Sequence, residues 1–157
     1  MISIIAAVGK NLELGKENKL IWHLKSDLKN FKDLTMNKKI VMGKNTYLSL
    51  PKRLEGREYI ILSNSLKDIE NAHIFNDFET LLKYLQNLEE EVMIIGGASI
   101  YKLFLPYAYR LYLTEVDEDA NADAYFPSFD TKDYKIIEEK AMQEDNLKYK
   151  FVIYEKR

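Results

Sequence analysis

The sequence predicts an α/β fold built on a mostly parallel sheet, and three observations carry that expectation. Apolar runs of strand length recur along the chain, amphipathic helical patterns lie between them, and the C-terminal region carries strands with no helices between.

Ile2 to Val8 is almost continuously apolar, as expected of a strand buried on both faces. Lys39 to Met42, Tyr59 to Leu62 and Val92 to Ile95 repeat the pattern. Between them, Leu24, Leu28, Phe31 and Leu34 recur at helical steps. So do Phe78, Leu81, Leu82, Leu85 and Leu88, with Asp77 placed to cap that helix. Tyr101, Phe104 and Leu105 predict a further helix, stopped near Pro106. Such alternation gives parallel strands joined by right-handed crossovers. Leu111 to Val116, the region of Tyr134 to Ile137, and Tyr149 to Tyr154 lack helical connections, which predicts an antiparallel C-terminal addition.

A chain of 157 residues, 46% hydrophobic and 31% charged, suits one domain, residues 1–157, with a core of its own. A net charge of −2 supplies no global field for nucleic acid. The absence of cysteine excludes a thiol nucleophile, a disulfide framework and a zinc–thiolate site. The apolar run at Ile2 is too short for a signal peptide or a membrane span, so a cytoplasmic protein without membrane or metal partners is expected.

Three segments could carry chemistry. Ile94-Ile95-Gly96-Gly97-Ala98-Ser99-Ile100-Tyr101 runs from a strand through a diglycine into a helix, which suits either a tight turn or a phosphate held by backbone amides. Met42-Gly43-Lys44-Asn45-Thr46 repeats the arrangement with a cation and a hydroxyl. Two such starts suggest a ligand with separated phosphates lying across strand ends. In the third segment, Asp27 shares a helical face with Leu24, Phe31 and Leu34. A carboxylate there needs a partner, unless Ser26 or Asp27 simply caps the helix. His23 and His73 have no second partner in sequence and are not counted as site residues. The acidic runs 89–91 and 117–119 lack calcium-loop spacing and are expected to be solvated.

Together these segments resemble the dihydrofolate reductases of the bacterial type. The match begins with Met1-Ile-Ser-Ile-Ile-Ala-Ala and continues through Leu14-Gly15, Asn18, Trp22, Asp27, Phe31-Lys32, Met42-Gly43, Thr46, Leu54 and Gly56-Arg57. It runs on through Ile60 to Ser63, Ile95-Gly96-Gly97, Tyr101, Leu105-Pro106, Leu111 to Thr114, Asp123 and Phe126-Pro127. Any one item is common, but their order over the whole chain is specific. The resemblance implies an eight-stranded, mostly parallel sheet with four helices and an antiparallel last strand. It also implies NADPH-dependent reduction of 7,8-dihydrofolate to tetrahydrofolate for one-carbon metabolism, by a monomer that diaminopyrimidine and pteridine antifolates would bind.

The resemblance assigns roles residue by residue. Asp27 would pair with pterin N3 and the 2-amino group, Thr114 would fix that carboxylate, and Trp22 would hold an ordered water. Ile5, Leu28, Phe31, Leu50, Leu54 and Ile95 would line the substrate slot, with Lys52 beside them and Arg57 gripping the α-carboxylate. Ala7 and the loop from Leu14 and Gly15 to Leu20 would cover the nicotinamide. Gly96 and Gly97, joined by a cis peptide, would lead into the pyrophosphate amides at Ala98, Ser99 and Ile100, with Tyr101 near the reacting atoms. Gly43, Asn45 and Thr46 would serve the second phosphate region. Lys44, Leu62, Ser63, Asn64 and Asn76 would border the 2′-phosphate.

Some positions depart from common family patterns: Lys44 for arginine, Asn30 for tryptophan, Leu20 for methionine and Ala122 for glycine. Two other readings compete. The pyrimidine reductases of riboflavin synthesis resemble this fold but lack Trp22, Asp27 and Arg57 in combination. A non-catalytic dinucleotide-binding module would leave Asp27 and Arg57 without purpose. An assay at 340 nm with NADPH and dihydrofolate separates all three.

Overall fold

The computed structural model describes residues 1–17, 19–50 and 53–157. Strand β1 (Ile2–Val8) lies inside the sheet, and its even and odd residues face opposite sides. Ile2, Ile4, Ala6 and Val8 join a cluster with Leu81, Leu85 and Phe104, whereas Ile5 joins Ile40, Met42, Tyr59 and Met93 on the other side. Both faces are therefore covered, which explains the continuous apolar run.

In chain order β1 is followed by β2 (Glu13–Lys16), β3 (Lys19–Leu20), α1 (Lys25–Thr35), β4 (Lys39–Gly43) and α2 (Lys44–Ser49). Then come β5 (Glu58–Leu62), β6 (Ala72–Phe75), α3 (Phe78–Gln86), β7 (Val92–Gly96) and α4 (Ala98–Phe104). The chain closes with β8 (Arg110–Val116), β9 (Ala124–Tyr125), β10 (Tyr134–Glu144) and β11 (Leu147–Lys156). The main sheet has eight strands in the order β10-β11-β8-β1-β7-β4-β5-β6, and β3-β2-β9 form a second sheet.

The mostly parallel sheet is as expected, with one correction. β8 is not part of the antiparallel addition: it runs parallel to β1, pairing Ile5 with Tyr112 and Ala7 with Thr114. α4 supplies the crossover that makes this possible. β11 is antiparallel to both β8 and β10 and is the reversed strand of the main sheet.

Helix α3 is capped as expected, with Asp77 Oδ2 accepting from Thr80 N at 2.9 Å. It buries Leu81, Leu82 and Leu85, and each such side chain contributes about 1.5–3 kcal/mol. Phe31 and Leu34 of α1 pack on the opposite face of the sheet, against the Ile5 and Met42 cluster. No described helix is long and apolar enough to cross a membrane.

At the N-terminal ends of the strands, Glu91 accepts from Ser3 Oγ and Lys38 Nζ, both at 2.7 Å, and from Tyr112 Oη at 2.8 Å. That corrects the expectation of a solvated 89–91 run at Glu91, while Glu89 and Glu90 are exposed as expected. The C-terminal ends of β1, β4 and β7 face the other way, toward α1 and the two glycine-led helix starts.

Candidate active site

Asp27 lies in the first turn of α1 and is half-buried. Thr114 Oγ1 of β8 donates to its Oδ1 at 2.5 Å, across 87 positions of sequence. Burial pushes the carboxyl above its ordinary range, the Thr114 bond opposes that, and the charge of Glu144 adds to it. Neither Ser26 nor Asp27 caps the helix. Leu24 holds the N-cap position without a side-chain bond, and Glu144 of β10 takes the free amides instead.

The expected lining residues come together in part. Phe31, Leu50, Leu54 and Ile95 pack on the cluster containing Ile5. Leu28 does not join that cluster and is 47% exposed. The guanidinium of Arg57 is held by Lys32 O (2.7 Å), Thr35 Oγ1 (3.2 Å) and Glu55 O (2.5 Å). Each terminal nitrogen keeps a second N–H, so the fork is oriented before any ligand arrives. Trp22 is buried, and its indole N–H is directed at Glu118 Oε1, 3.3 Å away, a partner not singled out in the sequence. Lys52, Asn18 and the side chain of Leu20 lie outside the described residues.

The two glycine-led starts meet. The Gly96–Gly97 peptide is cis, Gly97 is the N-cap of α4 and Gly43 that of α2. Gly96 has φ +127°, open to glycine. A Cβ there would lie 3.2 Å from Tyr101 Oη and 3.5 Å from Thr46 Oγ1, so residues of both segments border one space. Tyr101 is buried behind it, its hydroxyl 2.8 Å from Ile5 O and 2.9 Å from Ile95 O as donor. Ala98, Ser99 and Ile100 form the first turn of α4, Ile100 buried and Ser99 exposed, and Asn45 is exposed on α2.

At the far end, Lys44 Nζ donates to Ser65 Oγ at 3.0 Å, and Ser65 Oγ is 3.4 Å from Ser63 Oγ. Ser63 Oγ also accepts from Ser65 N and Leu66 N, and Leu62 packs at the edge of the core. Ser63, Asn64, Asn76 and Thr80 line one hollow with His73, whose ring centroid stands 4.4 Å from that of Phe75. Ser65 was missed, and His73 was considered and left out. Only the Ser63-Asn64-Ser65 spacing could have flagged Ser65, and His73 has no local partner in the sequence to keep it.

The segment expected to cover the nicotinamide is tied to the 117–126 segment. Glu13, 1% exposed, accepts from Asn11 N at 2.7 Å and Ala120 N at 2.8 Å. Lys10 N donates to Glu118 O, Asn11 Nδ2 to Asp119 Oδ1, and Lys10 Nζ pairs with Asp117. Glu17 N donates to Asp123 Oδ2 and Asp123 N to Gly15 O. The 117–119 run is exposed, as expected of a solvated loop, and it also serves as a latch. Leu14 packs against the core beside Leu12, and Ala7 sits next to Thr114 across the β1–β8 pair. Glu13 was missed, though an acid between Leu12 and Leu14 was the available signal.

Fold and site define an α/β sheet protein in which a half-buried carboxylate bonded by Thr114 lies at the strand ends, on the side of two glycine-led helix starts. The family model described as dihydrofolate reductase matches residues 1–156. A dihydrofolate reductase of Buchnera aphidicola subsp. Acyrthosiphon pisum is 45% identical over 130 residues, 82% of this chain and 80% of the relative. That of Bacillus subtilis is 33% identical over 161 aligned positions, 100% of this chain and 95% of the relative. That of Neisseria meningitidis serogroup B is 37% identical over 157, covering 98% and 96%. The chain belongs to the dihydrofolate reductase family, oxidoreductases that act with a nicotinamide dinucleotide.

Proposed function

We propose that the chain, as one domain over residues 1–157, reduces 7,8-dihydrofolate to 5,6,7,8-tetrahydrofolate with NADPH. The observation that carries this reading is Asp27, a half-buried carboxylate bonded by Thr114, within a member of this family. Its carboxylate accepts from pterin N3 and the 2-amino group, a bidentate pairing strengthened by the dry setting. Ile5, Phe31, Leu50, Leu54 and Ile95 form the apolar slot, Leu28 and Lys52 its edge, and Arg57 offers its spare N–H groups to the substrate's α-carboxylate.

The residues present fit the cofactor. Gly96 leaves a space that a Cβ would crowd, and Gly43 starts a second helix beside it. Gly96, Gly97, Ala98, Ser99 and Ile100 would hold the pyrophosphate, and Gly43, Asn45 and Thr46 its neighbouring phosphate region. Ala7, Leu14, Gly15 and Leu20 would border the nicotinamide, with Tyr101 behind. Lys44, Ser63, Asn64 and Asn76, next to Leu62, would meet the 2′-phosphate, with Ser65 added to the set. When bound, NADPH supplies the hydride that reduces pterin C6.

Asp27 orients the ring and its charge raises the basicity of N5. N5 lies across the ring from the groups that Asp27 holds, so water delivers the proton there. The latched segment from Gly9 to Leu24 excludes bulk solvent during that step. The same slot would take diaminopyrimidine and pteridine antifolates.

This reading takes the protein as a cytoplasmic monomer. The edge strand β10 supports the oligomeric part, since it presents Lys135, Glu138, Glu139 and Lys140, and sedimentation equilibrium checks it.

The test is Asp27→Asn, followed at 340 nm with NADPH and dihydrofolate. Hydride transfer at pH 7 should fall well over tenfold, a loss of several kcal/mol, while NADPH still binds. A variant retaining more than about a tenth of wild-type transfer would remove Asp27 from this role.

A further inference from the structure

Helix α1, which carries Asp27, has no cap of its own. Its acceptor comes from more than a hundred residues away. Glu144, where β10 ends, accepts from Lys25 N at 2.8 Å, Ser26 N at 3.2 Å and Ser26 Oγ at 2.9 Å. The Ser26 hydroxyl accepts in turn from Tyr149 Oη of β11. Tyr149 is buried in one cluster with Trp22 and Leu24. The β10–β11 hairpin is thereby fastened to the start of the helix that presents the carboxylate.

Charge follows from the same contact. The start of a helix favours anions, and Asp27 lies in the first turn, so the amides alone would draw its proton off. Glu144 occupies those amides, which hold its own carboxyl below the usual range and keep it ionised. From this geometry we infer that Glu144 is a positioning residue for Asp27. Through α1 it sets the carboxylate against Thr114, and as a fixed negative charge it deepens the negative potential where the pterin ring would sit. The inference rests on the assignment of Asp27 to the pterin.

The groups around Asp27 make the charge effect separable. β8 presents uncharged Thr114. α4 presents Tyr101, whose hydroxyl burial and the Asp27 charge keep protonated. β10 presents Glu144. On α1, Lys29 pairs with Asp33 and the charge of Lys25 bears on Glu144, while exposed His23 precedes the helix.

The charge and the fastening of α1 move Asp27 in opposite directions. Glu144→Gln separates them, because its side-chain oxygen still accepts from the Lys25 and Ser26 amides while the charge is gone. Removing a nearby negative charge lowers its pKa. Slackening α1 weakens the Thr114 bond, and losing that bond raises it.

The experiment follows the Asp27 carboxyl carbon by NMR titration of the full chain. It is paired with the pH profile of single-turnover hydride transfer, in Glu144→Gln and Glu144→Asp. The Gln variant should shift the Asp27 titration down by about half a pH unit, the order expected of a like charge acting through a largely aqueous path. The shift should shrink at high salt, and Glu144→Asp should stay nearer wild type. An unmoved or upward titration in Glu144→Gln overturns the inference. Asp27→Asn keeps the two readings apart: if it spares hydride transfer, the assignment of Asp27 fails, whatever Glu144 does.

Discussion

Lys44 reaches Ser65 and, through it, the neighbourhood of Ser63. Lysine is a mobile point charge where arginine would be a rigid fork, so its preference for a 2′-phosphate should be clear but moderate. Lys44→Ala should weaken NADPH by about 1–3 kcal/mol and leave NADH almost unchanged. The ratio of kcat/KM for the two cofactors reads this directly, and equal losses would assign Lys44 to the pyrophosphate or the fold. Asp27 carries a consequence of another kind. Burial raises its folded pKa, so the stability tied to its protonated form is present at acid pH and lost as pH rises through that pKa. Asp27→Asn should therefore melt higher than wild type at neutral pH, with the gap closing at acid pH. Thermal unfolding across pH measures it, and a gap that grew toward acid would reverse the sign assigned to the site.

At the scale of elements, the latch between β2 and the 117–120 segment turns on one buried carboxylate. Burial alone would raise the pKa of Glu13, but the N–H groups of Ala120 and Asn11 outweigh it and hold the carboxyl below the usual range. Its contribution is present above the unfolded pKa and lost as pH falls through the lower folded one. Glu13→Gln puts an amide donor against one of two buried N–H groups and should cost about 1–3 kcal/mol. Acid unfolding followed by circular dichroism should then show wild type losing its advantage over the variant below the glutamate range. Gly9 belongs to the same latch, because a Cβ there would collide with the Trp22 ring and the Glu13 carboxylate. Elements differed in how far they could be read in advance. β1, β4, β5 and β7 were legible because burial on both faces leaves little choice but apolar residues. β10 was legible only at Tyr134 to Ile137, since eight of its residues after Tyr134 are exposed on an edge and obey no period. β2, β3 and β9, each of four residues or fewer, exist through pairing and carry no pattern of their own.

At the scale of the whole molecule, the site is a set of long-range meetings. Gly96, Gly97 and Gly43 were visible locally, because a glycine after a buried strand is a feature of a few residues. The Asp27–Thr114 and Glu144–Ser26 contacts span most of the chain, and no local pattern announces them. The first was anticipated through family likeness; the second was not. A 2,4-diaminopyrimidine would couple to this assembly, because its protonated ring offers Asp27 a charge-assisted pair. At a thousand times its dissociation constant, such a ligand should add about 4 kcal/mol to unfolding. Most of the rise in Tm should vanish in Asp27→Asn, and equal shifts in the two proteins would refute the pairing.

The place of β1 inside the sheet has a consequence for biosynthesis. Its register partners begin at Val92 in β7 and at Arg110 in β8. A ribosome working at about 5–20 residues per second needs on the order of ten seconds to bridge that gap. Throughout that interval the nascent chain displays Ile2, Ile4, Ile5 and Val8 with neither neighbouring strand yet made. A strand buried on both faces in the finished protein is thus, during translation, among the longest to wait for its neighbours.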